Sequence, residues 1–157
     1  MGVLIAFSII ILWLGHLIYI LLYAEADFSS IPFYLHILIQ TFLYTGLFIT
    51  GHDAMHGSVS PNRKLNDITG NISTTLFAFL SFRKLSKKHY MHHLFPASEK
   101  DPDFSVKSNN FFAWWFSFMR NYTTWLQILL MAVTFNILLI WFDEIKVISF
   151  WVLPAVL

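Results

Sequence analysis

The sequence predicts an all-α integral membrane protein whose transmembrane helices carry a cap of histidines on the cytoplasmic side. Three observations predict it. Of the 157 residues, 57% are apolar and only 12% charged, against roughly a quarter charged in an average soluble domain. Two uninterrupted apolar runs, residues 3–23 and 32–51, each have about the 20 residues that a helix needs to cross a bilayer. Five of the seven histidines fall in two tight clusters, His52-Asp-Ala-Met-His56 and His89-Tyr-Met-His92-His93.

The elements follow in order within a single membrane domain, 1–157. The first run, with its uncharged N-terminus, is too long for an ordinary cleavable signal peptide. Residues 24–30 form a polar turn. Pro32, suited to a first helical turn, opens the second span, which runs into the first histidine cluster. Residues 57–69 read as a loop rich in Asn, Pro and Ser. The apolar stretch 71–82 covers only about 18 Å as a helix, against a hydrocarbon core of about 30 Å, so a re-entrant or interfacial segment is predicted. Both histidine clusters then end on one side of the membrane. A polar stretch, 94–110, follows. Residues 111–122 (FFAWWFSFMRNY) read as an aromatic interfacial helix, because Trp and Tyr favour the headgroup level. A further span is predicted at 123–142. Residues 147–157 begin another apolar run, too short to cross and without a polar flank, so the sequence is expected to be the N-terminal part of a longer protein.

Charge placement sets the orientation. Nine of the ten Lys and Arg lie between residues 63 and 120, while the turn joining the first two spans has Glu25 and Asp27 and no basic residue. By the positive-inside rule the histidine clusters and the N-terminus face the cytoplasm.

Residues three and four apart share a helix face. His52 and His56 therefore point one way, as do His89, His92 and His93, and five imidazoles from two such segments suit a transition-metal site. There is no cysteine, which excludes disulfides, thiolate ligands and Cys-held iron–sulfur clusters. The His-Glu-x-x-His pattern of zinc hydrolases is not met, since Asp53 follows His52. An all-nitrogen site with open positions suits iron and oxygen activation, and oxidation of an unactivated C–H bond needs such a cofactor. A non-catalytic metal carrier would place ionisable groups along the spans, where only His16 and His36 qualify. These two read as hydrogen-bonded interior histidines.

The segment 42–59 (FLYTGLFITGHDAMHGSV) resembles the first histidine box of bacterial and cyanobacterial β-carotene ketolases, members of the membrane fatty-acid-desaturase-like superfamily. KLSKKHYMHH at 84–93, DPDF at 101–104 and WWFSFMRNY at 114–122 follow in the order of that family. The resemblance covers about residues 40–157. It implies a desaturase-like fold, two irons held in the complete protein by His52, His56, His89, His92 and His93, use of O₂, and electrons from an external donor. The implied reaction converts the allylic ring methylene of a β-ionone ring to a 4-keto group, taking β-carotene to echinenone and canthaxanthin. A fatty-acid desaturase or carotenoid hydroxylase of the same superfamily is the alternative. The pattern departs at Gly51, where Ala is expected. The family's third box, of HxxHH type, has no counterpart here, so the piece alone is expected to be inactive.

Asp53 either orients a ligand histidine or caps a solvated helix end. Asp101 and Asp103 either support a ligand, supply an oxygen ligand, or simply form an Asp-Pro-Asp turn. Thr41, Thr45, Phe48 and His52 share one stripe, which lines a substrate tunnel or packs on a neighbouring helix. Phe42, Phe77 and Phe79 join Phe48 as candidate aromatic walls around a terminal ring. The cluster Arg83, Lys84, Lys87 and Lys88 anchors to anionic membrane lipid or steers an acidic, ferredoxin-type donor. The expected substrate is a carotenoid in the bilayer, and no nucleic-acid partner is expected.

Overall fold

Two long helices form where the sequence is most apolar. In the computed structural model, which describes residues 1–104 and 110–157, α1 spans Gly2–Tyr23 and α2 spans Ile31–Met55. Residues 105–109, part of the polar stretch 94–110, lie outside the described residues. No strand occurs among the described residues. Both helices are long and apolar enough to cross a membrane. In the turn between them, Asp27 Oδ1 accepts from the backbone N and the hydroxyl of Ser29, at 2.9 and 2.7 Å, and Pro32 sits in the first turn of α2.

The surface of this pair is inside-out relative to a soluble protein. Leu4, Ile5, Ile11, Leu12 and Ile18 of α1 and Leu35, Leu38 and Ile39 of α2 are exposed, whereas Gln40 is fully buried. Apolar burial gains little where the solvent is itself lipid, so such helices associate through close packing and interhelical hydrogen bonds. The bonds are present. His16 Nδ1 lies 2.6 Å from Gln40 Oε1 and His16 Nε2 lies 3.2 Å from His36 Nδ1. One tautomer set satisfies both contacts, with His16 donating to Gln40 and His36 donating to His16. As expected from the sequence, these histidines stand apart from the clusters.

The helix α3 (Arg63–Ala78) begins eight residues before the apolar stretch 71–82, inside the segment expected to be a loop. Asn62 caps it by accepting from Lys64 N at 2.9 Å. Asn66 folds back, its side-chain oxygen accepting from Ser60 N at 3.0 Å. The inward face of α3 is small and polar (Asn66, Thr69, Gly70, Ser73, Thr74), and its outward face carries Leu65, Ile68 and Ile72. Small residues let backbones approach closely, and α3 lies tightly along α2. A Cβ on Gly51 of α2 would stand 2.8 Å from Thr74 Cγ2, which gives the physical reason for Gly where Ala was expected.

Helix α3 stops at Phe79, whose φ of +54° is left-handed. Phe79 N and Leu80 N then close onto Thr75 O and Thr74 O at 2.8 and 3.0 Å. The chain reverses at once into α4 (Phe82–Leu94). A Cβ on Gly70 would stand 2.2 Å from the Phe82 ring, so the two helices meet where only hydrogen fits. This tight reversal brings the second histidine cluster back beside the first.

Helices α5 (Phe111–Tyr122) and α6 (Trp125–Leu138) follow. A capping box starts α6: Thr124 Oγ1 accepts from Gln127 N, and Gln127 Oε1 accepts from Thr124 N. Its 14 residues rise about 21 Å, less than the predicted span 123–142, because the backbone turns over residues 139–142. The C-terminal residues form α7 (Glu144–Val147), a π turn (Ile148–Val152) and α8 (Leu153–Val156). Val147, Phe150 and Trp151 complete the core with Trp13, Leu17, Ile20, Phe33, Ile37, Tyr44 and Leu47. Tyr44 donates its hydroxyl to Trp151 O at 3.0 Å.

Candidate metal centre

His52 occupies the last turn of α2 and His56 is its C-cap residue, while His89, His92 and His93 occupy the last two turns of α4. Both helices thus aim their C-terminal ends, where unpaired carbonyls give partial negative charge, at one place that favours a cation. Four imidazoles converge there. His52, His56 and His89 have ring centroids 4.6 to 4.7 Å apart, and His93 lies 4.5 Å from His89 and 5.0 Å from His56. His89 is central: its Nε2 is 2.7 Å from His56 Nε2 and 3.0 Å from His93 Nε2. Imidazole nitrogens bound to one ion at about 2.1 Å each stand about 3 Å apart at a right angle. The spacing is that of ligands sharing an ion, and ligand atoms of His52, His56 and His89 all lie within 4.8 Å of one another.

His92 turns away from this group. Its Nδ1 lies 3.0 and 3.1 Å from the two oxygens of Asp101 and 3.6 Å from Asp103 Oδ2. A helix advances 100° per residue, so His93 returns to the face of His89 and His92 falls short of it. The Asp101 side chain is only 2% exposed. It also accepts from Ala97 N at 2.8 Å and Asp103 N at 2.9 Å. Burial alone raises its pKa, but the backbone bond from Asp103, the bond from His92 and the bond from Ala97 outweigh this and hold it below the usual carboxylate value. The hydrogen bond to this carboxylate raises the His92 pKa against a smaller opposing effect of burial. An ionised Asp101 places the proton of neutral His92 on Nδ1 and leaves Nε2 with its lone pair, the arrangement that orients a metal-binding imidazole. Asp53, the other candidate support, is exposed and reaches His52 Nδ1 only at 3.5 Å.

His89 is pushed down to about 4, first by burial and then by the neighbouring imidazoles of His52, His56, His93 and His92. The central ring is therefore neutral, with a lone pair to offer, throughout the physiological range.

The stripe Thr41, Thr45, Phe48 leads along α2 to His52. Thr41 and Thr45 donate their hydroxyls to Ile37 O and Thr41 O of their own helix, at 2.9 and 3.1 Å. Thr45 and Phe48 are exposed, and Phe48 lies 5.6 Å from Phe77. Phe79 packs on the core, while Phe42 is 77% exposed. Three of the four basic residues, Arg83, Lys84 and Lys87, are exposed. Lys88 is engaged internally, donating to Asn121 O and lying 4.3 Å over the Tyr122 ring.

Sequence reasoning missed the clamp on the 101–103 turn. Tyr122 donates its hydroxyl to Asp103 Oδ1, Trp114 Nε1 donates to Asp103 O at 2.7 Å, and Asn121 Nδ2 donates to Pro102 O at 3.4 Å. Burial first, and then the bond to Asp103, raise the Tyr122 pKa, which keeps it a donor. The signal was available in the aromatic stripe Trp114, Phe118, Tyr122 at i, i+4, i+8, whose rings stack at 5.5 and 4.5 Å.

An all-helical, lipid-facing scaffold that gathers imidazoles at two helix ends defines a class of membrane histidine-box proteins. Residues 28–149, most of the chain, match the fatty acid desaturase family model, and the chain belongs to that family. It is 45% identical over 101 residues to a zeaxanthin 4-ketolase of Chlamydomonas reinhardtii, covering 63% of this chain and 23% of the relative. It is 46% identical over 87 residues to a beta-carotene 4-ketolase 3 of Haematococcus lacustris, covering 54% and 27%. A beta-carotene ketolase of Paracoccus sp. (strain N81106 / MBIC 01143) is 36% identical over 152 residues, covering 96% of this chain and 62% of the relative. The chain thus spans less than two thirds of each of these relatives. No solved structure matches it.

Proposed function

We propose that this chain belongs to a membrane non-haem di-iron oxygenase that introduces a 4-keto group into the β-ionone ring of a carotenoid, taking β-carotene to echinenone and canthaxanthin. The observation that carries the proposal is the convergence of His52, His56, His89 and His93, with His92 oriented by Asp101, in a chain whose named relatives are ketolases. The donor set fits iron, being imidazole nitrogen with carboxylate support and, with no cysteine in the chain, no thiolate. When bound, iron with O₂ and electrons from an external donor supplies oxidation of an unactivated C–H bond, which no side chain performs. The protein's part is to hold neutral imidazoles at the ends of α2 and α4 and to fix their tautomers. The exposed stripe Thr45, Phe48, with Phe77 beside it, supplies an apolar track from the bilayer to His52 for the terminal ring.

Expression of the gene that carries this sequence in a β-carotene-producing bacterium should yield echinenone and then canthaxanthin, seen as a red shift of the pigment. Unchanged carotene alongside altered fatty-acid unsaturation would support the desaturase reading instead, and a ring alcohol as end product the hydroxylase reading.

The basic residues support a cytoplasmic orientation of the histidine cap, with Arg83, Lys84 and Lys87 free to meet anionic lipid or an acidic ferredoxin-type donor. The 2.7 Å approach of His56 to His89 supports a common side for the two boxes. Cysteines placed at Asn62 and at Lys100 should therefore be labelled from the same, cytoplasmic, side by a membrane-impermeant reagent. Labelling from opposite sides would sink the shared site.

A further inference from the structure

The bonds around residues 101–103 form a chain that leads from the aromatic helix α5 to His92. Tyr122 holds the Asp103 carboxylate, Trp114 holds the Asp103 carbonyl, and Asp103 N donates to the Asp101 carboxylate that faces His92. Lys88, one residue before His89, joins the back of this arrangement through Asn121 O and the Tyr122 ring. Helix α5 thus holds the 101–103 turn through Trp114, Asn121 and Tyr122, and α4 through Lys88. Its other face carries Phe112 and Phe116, 75% and 66% exposed, so the aromatic helix meets lipid on one side and the turn on the other.

From this geometry we infer that Tyr122 and Trp114 are positioning residues for the metal centre, acting through the Asp101–Asp103 turn to hold His92 at its ligand orientation. The inference rests on the reading of His92 as a ligand. Among the described residues Tyr122 bonds to Asp103, and it contributes by fixing the turn whose Asp101 faces His92. A loosened turn lets Asp101 and His92 sample other geometries, and the ion is released faster while the helices stay packed. Loss of a partner that orients a ligand costs about 10–100-fold in metal affinity. Tyr122 is one bond further out and belongs at the lower end of that range.

The test uses the full gene product in lipid nanodiscs, loaded with ferrous iron and challenged with an excess of chelator. Tyr122→Phe should lose iron about tenfold faster than wild type at an unchanged thermal midpoint of the helical circular-dichroism signal. A purely structural role would lower the midpoint along with iron retention. Trp114→Phe, which frees the same turn through a different bond, should also accelerate release, and it decides the matter if Tyr122→Phe does not fold. Phe116→Leu, on the lipid face of the same helix, should release iron at the wild-type rate. Iron release unchanged in Tyr122→Phe, or in Trp114→Phe where the first variant does not fold, while His92→Ala releases iron fast, overturns the clamp and leaves the ligand reading standing. Full iron retention in His92→Ala overturns the ligand reading and the clamp with it.

Discussion

Replacement of His89 by Ala is expected to abolish both iron binding and turnover in the product of the gene that carries this sequence. His89 Nε2 is the nitrogen that approaches both His56 Nε2 and His93 Nε2, so its removal takes away the ligand that links the two helix ends. His52→Ala, His56→Ala, His92→Ala and His93→Ala are each expected to abolish turnover as well. His16→Ala, in the interhelical bonds of α1 and α2, is expected to leave catalysis in place. Iron content by elemental analysis and ketolated carotenoid by chromatography check the series. Near-normal activity in any two of the five variants would refute the assignment, because an ion in an open site cannot spare ligands.

The second large effect is expected at Asp101. Its carboxylate is buried and accepts from His92 Nδ1, Ala97 N and Asp103 N. Asp101→Ala leaves those part-buried donors without their acceptor and releases the tautomer of His92. Metal affinity should fall about 10–100-fold, measured by competition with a chelator. Metal-free protein adds a pH signature. The folded pKa of His89 is about 4, below the ordinary value of about 6.5. As pH falls below about 6.5 the unfolded state takes up this proton first, so stability declines towards pH 4. The depressed Asp101 carboxylate contributes stability above its ordinary value, about 3.9, and loses it as pH falls through the folded value. His92, raised by Asp101, contributes below its ordinary value and loses that contribution as pH rises through the raised one. In Asp101→Ala the Asp101 dependence should vanish, that of His92 should shrink to the smaller contribution of Asp103, and the decline due to His89 should remain. Denaturant titrations of the metal-free protein from about pH 2 to 8 read all three. A variant that kept the wild-type pH profile would show that Asp101 does not govern His92.

The geometry of the centre also shows how far spacing alone carries a reading. The i, i+3, i+4 spacing grouped His89, His92 and His93 on one face. In three dimensions His93 joins His89, and His92 turns to Asp101. The difference is angular: residues four apart on a helix are separated by about 40° and residues three apart by about 60° in the opposite sense. An acidic neighbour brought in by the following turn then decides which way the ring points. Asp53, adjacent in sequence to His52, makes only a long contact. Asp101, nine residues from His92, makes the short ones.

Composition, the two long apolar runs and the two histidine clusters were sufficient to determine that the chain is a helical membrane protein with imidazoles gathered at one face. These are local properties, set by the length and period of runs of side chains. The close packing of Gly51 on Thr74 and of Gly70 on Phe82, and the clamp of Tyr122 and Trp114 on the 101–103 turn, depend on residues far apart in sequence. No single-chain period encodes them. A small, polar face on α3 looks like a loop until α2 is laid against it. Only then do Asn66, Ser73 and Thr74 become buried, because in lipid a close helix contact is built from small residues rather than from apolar bulk. The sequence determined which atoms are available to bind a metal. The tertiary structure decided which of them meet, because the left-handed reversal at Phe79 turns α4 back along α2 and so sets the distance between the two boxes.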